Sequence, residues 1–348
     1  MECFSIDESG YTGFDLLNPA QRFQGACALC IAPDTARSLI LRHFPRLQAS
    51  ELKYSALARR SNNRARLLAL QKDVLSKHLC VTMVCDKRFL LILKFLDFAT
   101  EPAYYEADLD FYQDGQNFAL ASALYYAGPA LLGAIPFDAT LHAFQHAVRE
   151  KTPESLRALV EAARQMDWRQ FPEAFGPIVH AAPACLSAIA TKGVTTDAAF
   201  VVLQGVISRL EVMAAGPYRV EHDRSDNLRS YQQELQRLIS HTNSIEFKQT
   251  KITSLRFPLK LASADQVDSK DSPAVQLADV MVGAAMEAAN TLGQPSEHTN
   301  LVQEVFGQYA DEQLIHILPS LDFEAEKRFR QGSQATEFID YFATHFAS

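Results

Sequence analysis

What this chain of 348 residues lacks is a long apolar run free of helix breakers. The nearest approach, Phe118–Phe137, has twenty residues without a formal charge, but Gly128-Pro129 and Pro136 cut it. A buried helix, a turn and a second short helix fit that stretch better than a membrane span. No basic-then-apolar leader opens the sequence, because Glu2 and Asp7 stand where one would need positive and apolar residues. A cytoplasmic protein that does not enter a membrane is the expectation. Tryptophan is nearly absent: Trp168 stands alone, and it and the Tyr and Phe residues read as core rather than as base-stacking platforms. Also missing are a phosphate-binding loop of the G-x-x-x-x-G-K-S/T type, a G-x-G-x-x-G turn after a strand, and a G-x-S-x-G elbow. His142 and His146 stand one helical turn apart, but no glutamate follows His142, so the zinc-protease pattern fails as well.

Six cysteines are present, at 3, 27, 30, 80, 85 and 185, mostly inside apolar segments. Cys27 and Cys30 make a C-x-x-C within a strand-like run, and residues three apart on a strand face opposite sides. They therefore cannot grip one metal together, and buried free thiols are the expectation. Net charge is −8, which argues against a uniformly basic nucleic-acid binder, but the charge is segregated. Residues 37–94 hold thirteen Lys/Arg against Glu51, Asp73 and Asp86, a local net of +10, whereas Phe95–Val148 has seven acids and no Lys or Arg. Such segregation points to one cationic face directed at a polyanion such as nucleic acid, or else to solvated helices whose charges point several ways.

A hydrophobic fraction of 48% supports a sizeable core. Cys3-Phe4-Ser5-Ile6 reads as a strand that delivers Asp7-Glu8 into Ser9-Gly10. Phe4 and Ile6 share one face, so Asp7 shares the other with Ser5. Further strands are expected at Phe23–Ala32, Leu79–Cys85, Tyr218–Asp223, Ile245–Gln249 and Leu255–Leu261, with helices at Ala36–Phe44, Asn62–Lys77 and Leu228–Ser240, the last capped by Ser225-Asp226. Ser263–Ser272 reads as a polar loop. Residues 95–216 read as helix after helix, a helical insertion or a second, all-α domain. Ser272-Pro273 is a strong helix start, with hydroxyl cap and proline at the first position. The helix that follows is apolar on nearly every side until Gly293 and Pro295, yet it carries Asp279 on one face with Gln276, Val280 and Gly283. A lone buried carboxylate is costly to ionise, so a cation is expected beside it. Glu51, after the first helix, and Asp223, at a strand's end, stand between Asp7 and Asp279 in the sequence, and His222 and Asp226 rival Asp223. Four carboxylates converging beyond the carboxyl ends of the strands would repel one another unless cations neutralised them. Two Mg²⁺ ions about 4 Å apart would do so.

Ile6-Asp7-Glu8-Ser9-Gly10, Glu51-Leu52-Lys53, and Asp268-Ser269-Lys270 followed by Gln276-Leu277-Ala278-Asp279 resemble, in order and spacing, a family of bacterial and phage proteins, domain of unknown function 3800. Tyr11 follows Gly10 where the family pattern has an acid. The family is similar to the ribonuclease-H-like superfamily, whose members use clustered acids and two metals to cut or join nucleic-acid strands. That resemblance implies an α/β fold with a ribonuclease-H-like mixed sheet and flanking helices at 1–94 and 217–293. A helical insertion then occupies 95–216 and a helical extension 294–348, suited to core cover or a dimer contact. It implies Asp7, Glu51, Asp223 and Asp279 as ligands of Mg²⁺ or Mn²⁺ and Glu8 in the same site. Lys53 or Lys270 would steady a phosphate, and Gln276 would orient Asp279 or a water. The implied function is a metal-dependent nuclease or strand-transfer enzyme acting on DNA or RNA. A non-catalytic nucleic-acid-binding or adaptor protein, and a phosphatase or nucleotide hydrolase, are the alternatives.

Overall fold

The computed structural model describes residues 1–47, 49–224, 231–292 and 299–346. Eight strands form among these residues: β1 (Glu2–Ser9), β2 (Phe23–Cys30), β3 (Leu79–Asp86), β4 (Tyr218–Asp223), β5 (Ile245–Lys248), β6 (Ser254–Phe257), β7 (Leu261–Val267) and β8 (Leu314–Ile317). Six of them make one mixed sheet in the order β7-β4-β1-β2-β3-β8, while β5 and β6 pair separately. β1, β2 and β3 run as an antiparallel meander, and β4, β7 and β8 join in parallel to β1, β4 and β3. Alternation along β1 behaves as expected: Phe4 and Ile6 enter the core on one face. Ser5 and Asp7 are buried on the other. Gly10 ends the strand with φ +84°, and a Cβ there would stand 2.1 Å from the Phe23 carbonyl oxygen, so only glycine lets the chain turn there.

Helices cover both faces of the sheet. On the Asp7 face lie Pro33–His43, Arg64–Lys77 and the long Pro273–Asn290, whose apolar sides meet Phe23, Cys27, Leu29 and Val84. Ser272 caps the last of these by accepting from the Val275 N–H, with Pro273 at the first position. On the opposite face Ala199–Met213 packs against β2 and β3, and one continuous apolar cluster runs from Phe4, Ala28 and Met83 into Phe95, Phe137, Phe144 and Phe175 of the helical middle. Among the described residues no single helix is long and apolar enough to cross a membrane. The one bent pair that passes by composition, Pro172–Val179 with Pro183–Ala190, buries Phe175, Ile178 and Ile189 in this cluster.

Several boundaries differ from the sequence expectation. The helical stretch begins at Lys87, directly after β3, because Asp86 caps it: its Oδ1 accepts from the Phe89 N–H at 3.0 Å. Gly128-Pro129 does not break its helix, Gln116–Leu131, and the next, Ala134–Glu150, is long rather than short. Pro136 sits in that helix's first turn, where a missing N–H costs little. Leu261–Val267 is a strand rather than a loop; as a sheet edge it has a largely solvated exterior and so reads as polar. The C-terminal extension is not all helix, since Leu314–Ile317 adds β8 to the β3 edge. The cap proposed at Ser225-Asp226 and the stop at Gly293 and Pro295 lie outside the described residues; the first of these helices is described from Gln232 to Ser240.

Asp86 is fully buried and also accepts from Arg22 Nε at 3.1 Å and the Tyr125 hydroxyl at 2.9 Å. Asp86→Ala removes the cap and strands both donors, so chemical denaturation should register a loss of about 2–4 kcal/mol. Asp86→Asn keeps a capping acceptor and should lose clearly less. Equal stability of wild type and Asp86→Ala would remove this residue from the account of how the helical middle is anchored.

Candidate functional site

Parallel pairing of β1 with β4 aligns Ile6 with His222, so the next residues, Asp7 and Asp223, come side by side at the carboxyl ends of both strands. His222 alternates to the opposite face and lines a small apolar recess with Ile6 and Val220, which removes it as a rival to Asp223. Asp226 lies outside the described residues. Over the Asp7 face runs the Pro273–Asn290 helix, and its stripe Gln276, Asp279, Gly283, Glu287 seats the segment Glu51–Tyr54. Gln276 Oε1 accepts from the Leu52 N–H at 2.9 Å, and Asp279 Oδ2 accepts from the Tyr54 N–H at 2.6 Å. Gly283 lets the Tyr54 ring lie on the helix, since a Cβ there would stand 2.4 Å from ring carbon Cγ. The Tyr54 hydroxyl then reaches the Glu287 carboxylate.

Asp7, Glu51, Asp223 and Asp279 are thereby gathered at one end of the sheet. Each has an oxygen held by a neighbouring donor. Asp7 Oδ1 accepts from the Glu8 N–H at 2.8 Å, and Asp223 Oδ1 accepts from the N–H groups of Arg224 and Ser269 at 2.9 and 3.1 Å. The Ser269 hydroxyl donates to Glu51 Oε1. Among these acids sits the Lys53 ammonium, 3.0 Å from Glu51 Oε1 and 3.8 Å from Asp223 Oδ2. Burial works against its charge, but hydrogen bonding to Glu51 and the fields of Asp279 and Asp7 outweigh it and hold the ammonium above its usual range.

Lys53, with Lys270 also acting on Glu51, leaves the acids in unlike states. Burial and the neighbouring Asp279 push Asp7 up to about 7, against a usual 3.8. Asp279 is raised by burial too, with the Tyr54 N–H and Lys53 opposing. Glu51 goes the other way: burial would raise it, but the Ser269 hydroxyl and Lys53 pull it below the usual carboxylate range. Asp7 and Asp279 therefore resist ionisation, while Glu51 is held ionised. Among the described residues no group of three or more His, Cys, Asp or Glu side chains is arranged to hold a metal ion, so these acids would have to turn toward one to bind it.

Other expected members take different places. Glu8 alternates to the far face of β1, where its charge acts on Tyr11, whose hydroxyl donates to Asp197 at 3.1 Å. Gln276 orients backbone rather than Asp279 or a water: besides Leu52 it donates to the Ser269 carbonyl at 2.8 Å. Lys270 stands at the margin, lining a cleft of about 260 Å³ with Arg37, Ser50 and Asp271. The sequence assigns no role to Ser269 or Tyr54: Ser269 lies inside the Asp268-Ser269-Lys270 motif, and a glycine at 283 on the Asp279 face is the one signal that a ring could lie there. The cationic stretch disperses. Lys87 and Lys94 are buried, with Lys87 donating to the Gly10 carbonyl and Thr12 and Lys94 to the Thr195 carbonyl. Arg64 pairs with Glu304, and Arg88 with Asp138. Arg59, Arg60, Arg66 and Lys72 remain exposed, on and after the helix that Tyr54 opens.

No family model, curated protein or solved structure matches the chain. What the fold and site define is an α/β protein with a six-stranded mixed sheet and a partly neutralised carboxylate cluster at the ends of two adjacent parallel strands.

The raised Asp7 carboxyl has a signed consequence. The folded state holds its proton up to about pH 7 whereas the unfolded chain releases it near 3.8. Its contribution to stability is therefore greatest below pH 3.8 and is lost as pH rises to about 7. In metal-free buffer, wild type should lose stability relative to Asp7→Asn across that window, by at most on the order of 4 kcal/mol, and the difference should level off above it. Denaturation of both proteins over a pH series checks this. A difference that grows in favour of wild type as pH rises would mark Asp7 as a salt-bridged carboxylate instead.

Proposed function

We propose that the chain is a Mg²⁺- or Mn²⁺-dependent phosphodiester hydrolase of ribonuclease-H-like type, a nuclease or strand-transfer enzyme acting on nucleic acid. The observation that carries this is the convergence of four carboxylates around the single Lys53 ammonium, two of them resisting ionisation. The residues fit a hard divalent cation: the donors are all carboxylate oxygens, and those of Asp7 and Asp279 are oriented by backbone N–H groups through one oxygen each. Asp7, Asp223 and Asp279 would hold the ions, with Glu51 at the side where the Ser269 hydroxyl fixes it. Bound there, the ions would lower the pKa of water and offset charge on a phosphodiester. Lys53 is within reach of the same space and would steady the phosphate once its carboxylate partners turned to a metal. An antiparallel β1–β2–β3 meander joined to parallel β4 and β7, with acids at the ends of β1 and β4, supports the fold assignment.

The same Lys53 contact favours a second reading, a nucleic-acid-binding protein in which the lysine is the permanent counterion and nothing is cut. Cleavage assays on DNA and RNA with Mg²⁺ or Mn²⁺ separate the two. Asp7→Asn and Asp279→Asn should each abolish cleavage while leaving the circular dichroism spectrum unchanged, and the double variant should lose no more than either one, since ligands act as a unit. Full activity in either single variant would falsify the assignment.

The exposed cations give an independent test. Replacing Arg59, Arg60 and Arg66 together by glutamine should weaken polynucleotide binding for all sequences alike. It should also flatten the log–log salt dependence by about one unit for each phosphate no longer neutralised. An unchanged slope across a salt series would leave these arginines as solvated helix residues.

A further inference from the structure

On the sheet face opposite the carboxylate cluster, a cavity of about 300 Å³ lies between Met83, the Gln116–Leu131 and Ala199–Met213 helices, β8 and the C-terminal helices. Its walls are mainly apolar, with Met83, Val201, Ile317 and Phe338 among them, and its volume is at the lower end of small-molecule sites. Into this apolar space the fold brings one guanidinium. Arg330 ends the Phe323–Arg330 helix with its side chain 12% exposed. Its guanidinium carbon sits 3.3 Å from the centre of the Phe118 ring.

Three neighbours hold Arg330 there. Gly115, at φ +76°, gives its stem room: a Cβ at that position would stand 2.8 Å from Arg330 Cδ. Phe118 takes one flat face of the cation, which fixes the plane in which its N–H groups lie. Glu326 Oε2 lies 3.4 Å from Nε, an ion pair without hydrogen-bond alignment, and Nε has no hydrogen-bond partner although it is closed off from solvent. Neither Nη group hydrogen-bonds a described residue. Nε alone is closed off without an acceptor, while the Nη groups open to the cavity, and burial pushes Arg330 down to about 10. The polar wall beside it, Gln249, Thr250, Thr253 and Ser333, offers further hydrogen bonding.

We propose that this cavity binds a small organic anion, its carboxylate or phosphate-type head on the free Nη groups of Arg330 and its apolar body against Met83, Ile317 and Phe338. Arg presents paired donors to such a head, and the apolar walls select a molecule with a hydrocarbon or aromatic body over an inorganic ion. Glu326 competes with the ligand head for the same cation. The site is separate from the carboxylate cluster and does not depend on what that cluster does.

The test uses the full chain in chelator, so that the carboxylate cluster takes no part. Phenylacetate, phenylphosphonate, neutral 2-phenylethanol and inorganic phosphate are titrated by ligand-observed NMR and by thermal shift. At least one of the two aromatic anions should bind saturably at millimolar or lower concentration, and the neutral analogue and inorganic phosphate about tenfold more weakly or worse. Which aromatic anion binds distinguishes a carboxylate from a phosphate-type head. Arg330→Met should lose about tenfold in affinity for that anion, whereas Glu326→Gln, by freeing the guanidinium, should gain affinity. The opposite signs separate a ligand site from misfolding, which would weaken both. No saturable binding of either aromatic anion to wild type, equal binding of 2-phenylethanol, or affinity unmoved in both variants would overturn the proposal.

Discussion

Like charges at one end of a sheet are the constraint around which this molecule is arranged. Asp7 and Asp223 reach the same edge because their strands are parallel neighbours, and nothing in strand pairing relieves their repulsion. Relief comes from the segment Glu51–Tyr54, which brings Lys53 among the acids and is itself held by a helix face. Asp279 therefore has two parts to play. It adds charge to the cluster, raising Asp7, and through the Tyr54 N–H it holds the loop that carries the compensating lysine. Removing its charge relieves one problem and removing its acceptor creates another, which is why Asn, able to keep the acceptor, is the informative substitution.

Elsewhere the chain handles buried charge by a different rule. Lys87 and Lys94 end on backbone carbonyls, and Asp86 on a helix N-terminus, an arginine and a tyrosine. Glu211 takes the N–H groups of Lys260 and Leu261 and the Tyr218 hydroxyl. These groups have partners enough to be structural, and they tie the helical middle to the sheet. Against that pattern, the carboxylate cluster and Arg330 stand out: in the first, buried acids crowd around one lysine, and in the second Nε has no acceptor. Groups left in that condition inside a well-packed protein are where a ligand has most to gain.

The sequence was most legible where one residue contradicted its surroundings. Asp7 on an apolar strand and Asp279 on an apolar helix were conspicuous for that reason, and both lie in the cluster. The Ser272-Pro273 helix start was legible because capping is local chemistry. Two things were not. Edge strands β7 and β8 expose one side, so Leu261–Val267 has too little alternation to separate from a loop and Leu314–Ile317 is too short to stand out from flanking helices. Charge along the chain is also not charge in space. Residues 37–94 read as a single basic block, yet they are divided between two faces of the sheet, and two of the lysines end up buried.

Gln276 shows the same limit at the scale of one side chain. Its place on the Asp279 face was evident from spacing, and an amide beside a carboxylate suggests a direct bond. The folded chain gives it Leu52 and Ser269 instead, one from each of the two loops that bring Glu51, Lys53 and Ser269 to the site. It is the crosslink between those loops, and its bonds are to backbone. Because an amide does not titrate, this link between the loops is independent of whether the neighbouring acids are protonated.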